Sequence, residues 1–71
     1  MPVMRDVYSS NVAKIGHDAE AQELHVQWSN GKTSVYTGVP AAVADEVSNS
    51  WSVGKAVRER VIPTYQHRYA G

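Results

Sequence analysis

The sequence predicts an α+β domain, a small antiparallel three-stranded meander (β-β-β-α-α) with two short helices on one face. Three observations predict it. Apolar and polar residues alternate on both sides of Asn30-Gly31, which is the period of a half-buried strand. The period changes after Gly38-Val39-Pro40, where valines recur every four residues, as on the inner stripe of a helix. A chain of 71 residues without cysteine makes one small core that no disulfide or thiolate-bound zinc can staple.

Residues 1–8 show no sustained period and serve either as a short edge strand or as a loose arm. Ser9-Ser10-Asn11 is turn material, because these side chains compete for local backbone hydrogen bonds. Val12–Asp18 carries β-branched residues and reads as the first strand, with Gly16 a weak point or a bulge. The acidic run Asp18–Glu23 connects it to the hairpin. Leu24, Val26 and Trp28 alternate with His25, Gln27 and Ser29, and Asn30-Gly31 suits a two-residue type I′ turn. That turn sets Ser29 against Lys32, Trp28 against Thr33, Val26 against Val35 and His25 against Tyr36. Leu24, Val26, Trp28 and Val35 then form the core face, and His25, Gln27, Ser34 and Tyr36 form the other. A slip of one residue would exchange the two sets.

Pro40 fits the first helical position, where its missing N–H costs nothing. Val39, Val43, Ala44 and Val47 make the inner stripe of the first helix, with Asp45 and Glu46 outward. Ser52 is the N-cap of the second helix, whose inner face is Val53, Ala56, Val57 and Val61. Pro63 ends it, and residues 64–71 read as an irregular tail. Trp51, between the helices, is large enough to plug their joint. The whole chain, 1–71, is then a single domain.

Net charge is zero, but its distribution is uneven. Residues 1–46 hold Arg5, Lys14 and Lys32 against six acidic residues, and residues 47–71 hold Lys55, Arg58, Arg60 and Arg68 against Glu59 alone. Such a dipole can orient an anionic partner toward the C-terminal third. The absence of cysteine fits a reducing cytoplasm, and no apolar run reaches the length of a membrane span. His17, His25 and His67 match no local metal signature, so neither metal nor cofactor is expected. No set of nucleophile, base and orienting group can be assembled. Ser52-Val53-Gly54-Lys55 spells the Ser-x-x-Lys of penicillin-binding enzymes without their other motifs. A binding domain is expected, not an enzyme.

Ser9-Ser10-Asn11-Val12, Ile15-Gly16-His17-Asp18, Leu24–Trp28, Tyr36–Pro40, Ser52–Lys55 and Tyr65 resemble, in order, the KTSC domain. That family is named for the C-terminal extension of some lysyl-tRNA synthetases and also occurs as a small bacterial protein. The resemblance implies nucleic-acid binding, RNA in particular, by association with the synthetase. Two positions depart from the family pattern. Ser34 stands where the first tyrosine of a Tyr-x-Tyr pair is usual, and Ala56-Val57-Arg58 replaces an aromatic-rich run. Both changes remove ring surface.

The candidate nucleic-acid site follows from chemistry: rings to stack bases and cations to meet phosphates. Tyr36 and His25 supply rings, while Lys32, Lys55, Arg58, Arg60 and Arg68 supply charge. Ser52 and Gly54, with Lys55, open a helix N-terminus to an anion. The alternative is a protein-interaction or self-association module using Trp51, the edge of Val12–Asp18 or an uncovered sheet face. An exposed Trp51 with scattered cations favours the protein partner. A buried Trp51, with Lys55, Arg58 and Arg60 lining one groove with Tyr36, favours nucleic acid.

Overall fold

The computed structural model describes residues 3–70; Met1 and Pro2 of the expected arm and Gly71 of the expected tail lie outside them. Five strands form one antiparallel sheet in chain order: β1 (Arg5–Asp6), β2 (Val12–Asp18), β3 (Glu23–Trp28), β4 (Thr33–Thr37) and β5 (His67–Ala70). Between β4 and β5 lie α1 (Ala41–Ser48) and α2 (Val53–Ala56), which continues as a π-helical segment, Val57–Val61. The architecture is α+β with two helices, as expected, but the sheet has five strands and not three. The two additions are short edge strands. Arg5–Asp6 takes the edge-strand option left open for the N-terminal residues and pairs with Ile15 and Lys14. The expected irregular tail pairs with β4 over His67–Ala70. Among the described residues, no helix is long and apolar enough to cross a membrane.

The hairpin register differs by one residue from the expected one. Gln27 faces Thr33, Val26 faces Ser34, His25 faces Val35 and Leu24 faces Tyr36. The loop has three residues, Ser29-Asn30-Gly31. Gly31 N–H donates to Trp28 O at 2.9 Å, and Trp28 N–H donates to Lys32 O at 2.8 Å. Only Gly31 needs positive φ, at 89°, and Asn30 Oδ1 accepts the Lys32 N–H at 3.0 Å. This is the three-residue hairpin with a glycine bulge, a close competitor of the two-residue turn.

One step of register exchanges the faces of β4. Tyr36 (3% exposed) and Ser34 (2% exposed) join Leu24, Val26 and Trp28 on the side that carries the helices. Val35 moves to the opposite face between His25 and Arg68, its partners in register. Trp28 Nε1–H donates to Ser34 Oγ at 2.8 Å, so the serine that removes a ring from β4 satisfies the indole. Ser34→Ala should cost about 1 kcal/mol through that orphaned donor, read as a lowered urea midpoint with unchanged slope.

The core joins Val12, Ile15, Leu24, Val26 and Tyr36 of the sheet to Val39, Ala44, Val47, Val53, Val57 and Val61. The inner faces read from the helical spacing are therefore the packed ones, with Val43 and Ala56 partly buried at the margin. Pro40 is the N-cap (φ −68°, ψ 155°) and α1 begins one residue later than expected. The entry to α1 is anchored to the sheet side of the molecule. Val39 N–H donates to Gln22 O at 2.9 Å, and His17 Nε2 meets Val39 O at 2.8 Å, which makes that ring nitrogen the donor. At the other end of α1, Arg5 Nη2 donates to Ser48 O at 2.6 Å. A cation there also complements the helix dipole.

Candidate interaction site

The residues expected to form one nucleic-acid surface are divided among several places. Tyr36 lies in the core, and burial raises its phenol above the ordinary 10.0. His25 is on the other face of the sheet, opposite Val35, so the expected His25–Tyr36 pair does not form. Lys32 lies exposed beside the hairpin turn. The register slip accounts for both corrections.

The second helix holds the next group. Ser52 occupies the N-cap position, but its side chain makes no capping hydrogen bond. Ser50 organises this corner, donating to Ser52 O at 3.3 Å and accepting the Ser52 N–H at 3.2 Å. Gly54 is buried, and a Cβ there would stand 2.7 Å from Ser9 Oγ. Its small size therefore admits the Ser9 loop.

The cations do not converge. Arg60 pairs with Glu46, and Arg68 Nη1 pairs with Glu23 Oε2 at 3.0 Å. Lys55 and Arg58 are exposed on α2 and its π-helical continuation. Among the described residues, Lys32, Lys55 and Arg58 have no carboxylate within ion-pair distance.

The Arg68 hydrogen bond, with its charge, holds the Glu23 carboxyl below its ordinary 4.5. His25 Nε2 also lies 3.5 Å from Glu23 Oε1. A depressed carboxylate contributes stability that is present above pH 4.5 and lost as pH falls through the lower folded value. The stability difference between wild type and Arg68→Ala should therefore shrink on acidification below pH 4.5. Urea titrations at a series of acidic pH values measure it; a difference independent of pH would deny the pair any role.

Trp51 does not plug the helix joint. It is 92% exposed, while Val47 and Val53 on either side of it in the chain are buried in the core. Tyr8, just after β1, is fully exposed as well. Trp51 borders two open clefts. One is lined by Val7, Tyr8 and Val53 together with Arg5 and Asp6. The other carries Glu46, Lys55, Glu59 and Arg60, two charges of each sign.

Sequence reasoning missed a second ring cluster on β5. His67 lies 5.4 Å, centroid to centroid, from both Tyr36 and Tyr69. Tyr69 is 69% exposed and lines a cleft with Lys32 and Thr33. The available signal was the alternation of His67 and Tyr69 about Arg68, too short to stand out as a strand.

An antiparallel sheet with both helices on one face and exposed rings at its margins defines a small α+β domain whose accessible features are surface clefts. The chain belongs to the KTSC family, whose domain model matches residues 8–65. It is similar to a KTSC domain protein from Yersinia pestis of solved structure, with 25% identity over 100% of both chains and a TM-score of 0.91. No curated protein matches the chain.

Proposed function

We propose that this chain is a protein-binding domain that docks its partner on the Trp51 face. The observation that carries the reading is the 92% exposure of Trp51, with Tyr8 bordering the same cleft. A fully hydrated indole is costly surface that another protein can cover, and tryptophan and tyrosine dominate interface energetics. The apolar Val7 and Val53 that line the cleft with the rings suit an interface centre, and Arg5 and Asp6 suit its polar rim.

Single-stranded nucleic acid is the second reading, favoured by one observation: Lys55 borders the same indole. A base stacked on Trp51 could then place its phosphate at the ammonium. Glu46 and Glu59 in that cleft oppose a phosphate, and Arg60 is already paired with Glu46. The protein reading therefore ranks first.

Trp51→Ala tests it. Removing an exposed side chain should change stability by less than about 0.5 kcal/mol, so the thermal midpoint should stay in place. The wild-type chain and the variant are then used as paired baits, with sedimentation run over a range of concentration. A stoichiometric protein retained by wild type and weakened at least about tenfold by the variant supports the proposal. Self-association that disappears with Trp51 supports it with a second copy as partner. Nuclease-sensitive retention abolished by Lys55→Ala would replace it with the second reading.

A further inference from the structure

The open edge of β5 points to a second site, independent of Trp51. Thr37 N–H donates to Gln66 O at 2.9 Å, which makes Gln66–Thr37 a hydrogen-bonded pair of the β4–β5 ladder. In an antiparallel ladder such pairs alternate, so Arg68 and Ala70 also turn their backbone groups toward β4. His67 and Tyr69 must turn theirs outward. Among the described residues no strand lies beyond β5. The N–H and C=O of both His67 and Tyr69 thus form a row of donors and acceptors along an exposed edge, a template for one more strand.

The side chains on this edge say what the incoming strand should carry. His67 and Tyr69 share the face of Tyr36 and Ser34, their partners in register, and their rings are in contact. Incoming residues opposite them lie against this ring cluster, and an apolar or β-branched side chain suits that position. Arg68 projects to the other face, opposite Val35. Its side chain is 57% exposed, with Glu23 held at one Nη. A guanidinium has five N–H donors, so a carboxylate opposite Arg68 can share it with Glu23.

The same residue argues against a second copy on this edge. Two β5 strands paired antiparallel about Arg68, the register that uses all the outward groups, would set arginine directly against arginine. Like charges at that spacing destabilise the pair. We infer that β5 accepts an extended peptide segment of another protein, alternating apolar and acidic residues, by strand addition at His67–Ala70.

A capped peptide alternating valine with glutamate tests this on the wild-type chain, with a twin alternating valine with lysine. Under millimolar glutamate peptide, the amides of His67 and Tyr69 should shift and exchange more slowly with solvent, while those of Arg68 and Ala70 change little. The lysine twin should bind about tenfold more weakly, and Arg68→Glu should reverse the preference. N-methylating the peptide along one edge should abolish binding without touching the protein. Trp51→Ala should leave all of this unchanged, so the two sites fail separately. Equal binding of both twins, insensitivity to N-methylation, or an oligonucleotide that moves the same amides at lower concentration than either peptide would each overturn the inference.

Discussion

Leu24→Ala should leave most of the protein unfolded at room temperature. Leu24 is completely buried at 0% exposure, with His17 and Tyr36 directly opposite on its two neighbouring strands. Truncating a leucine at such a site costs about 2–5 kcal/mol, the transfer term plus the cavity left behind. A core in a chain of this size rarely supplies more than about 3–5 kcal/mol in total, and no disulfide supplements it. A loss in the upper part of that range equals or exceeds the stability present, which makes the unfolded chain the major species. Leu24→Met keeps the volume and should cost less than about 1.5 kcal/mol, leaving a folded comparison. Urea melts followed by far-ultraviolet dichroism measure both. A cooperative Leu24→Ala melt with a midpoint near that of wild type would show that the core is not centred on this strand.

That prediction depends only on the part of the fold most legible in the sequence. Leu24 and Val26 sit on the buried face in either hairpin register, because β3 supplies its own alternation. The valines of α1 and α2 were legible for the same reason, their spacing being a property of the segment alone. β4 was not legible in this way. Ser34, Val35 and Tyr36 are all buried, so alternation does not say which face they serve. Asn30-Gly31 is compatible with loops of two or three residues, and the tertiary contacts decide between them. The three-residue loop brings Ser34 under the Trp28 indole and Tyr36 into the core.

Trp51 and β5 escape the local signals for a different physical reason. Hydrophobicity suggests that a tryptophan between two helices belongs between them, but this one is 92% exposed, and the Ser50–Ser52 hydrogen bonds order the joint without it. β5 is exposed at all of its residues, so no buried period marks it. It is a strand because β4 offers it a ladder, an interaction between segments some 30 residues apart. The rings of the candidate site follow the register, and its cations are spread over the hairpin turn, the second helix and β5, where no local signal reports their pairing. Glu46 and Glu23, which pair with Arg60 and Arg68, are distant in sequence from those arginines.

Gly16→Val should detach the N-terminal segment while the rest of the sheet stays folded. A Cβ at Gly16 would stand 2.7 Å from Val3 O, 2.8 Å from Met4 Sδ and 3.2 Å from Val3 C. The methionine sulfur can swing aside, but the Val3 carbonyl is backbone, and moving it moves the chain leading into β1. That strand has only two residues, Arg5 and Asp6, held by pairing with Ile15 and Lys14 and by the Arg5–Ser48 hydrogen bond. Such overpacking costs about 1–3 kcal/mol, comparable with what so short an edge contributes, so release is the expected response. The amides of Arg5–Val7, including the Val7 N–H that donates to Ala13 O at 3.1 Å, should lose protection from hydrogen exchange. Those of β3 and β4 should keep theirs. Tyr8 follows this segment directly and borders the Trp51 cleft, so release of β1 removes one wall of the proposed docking face. Gly16→Val should therefore weaken partner capture with Trp51 itself intact. Capture undiminished despite loss of β1 protection would confine the interface to the Lys55 side of the indole.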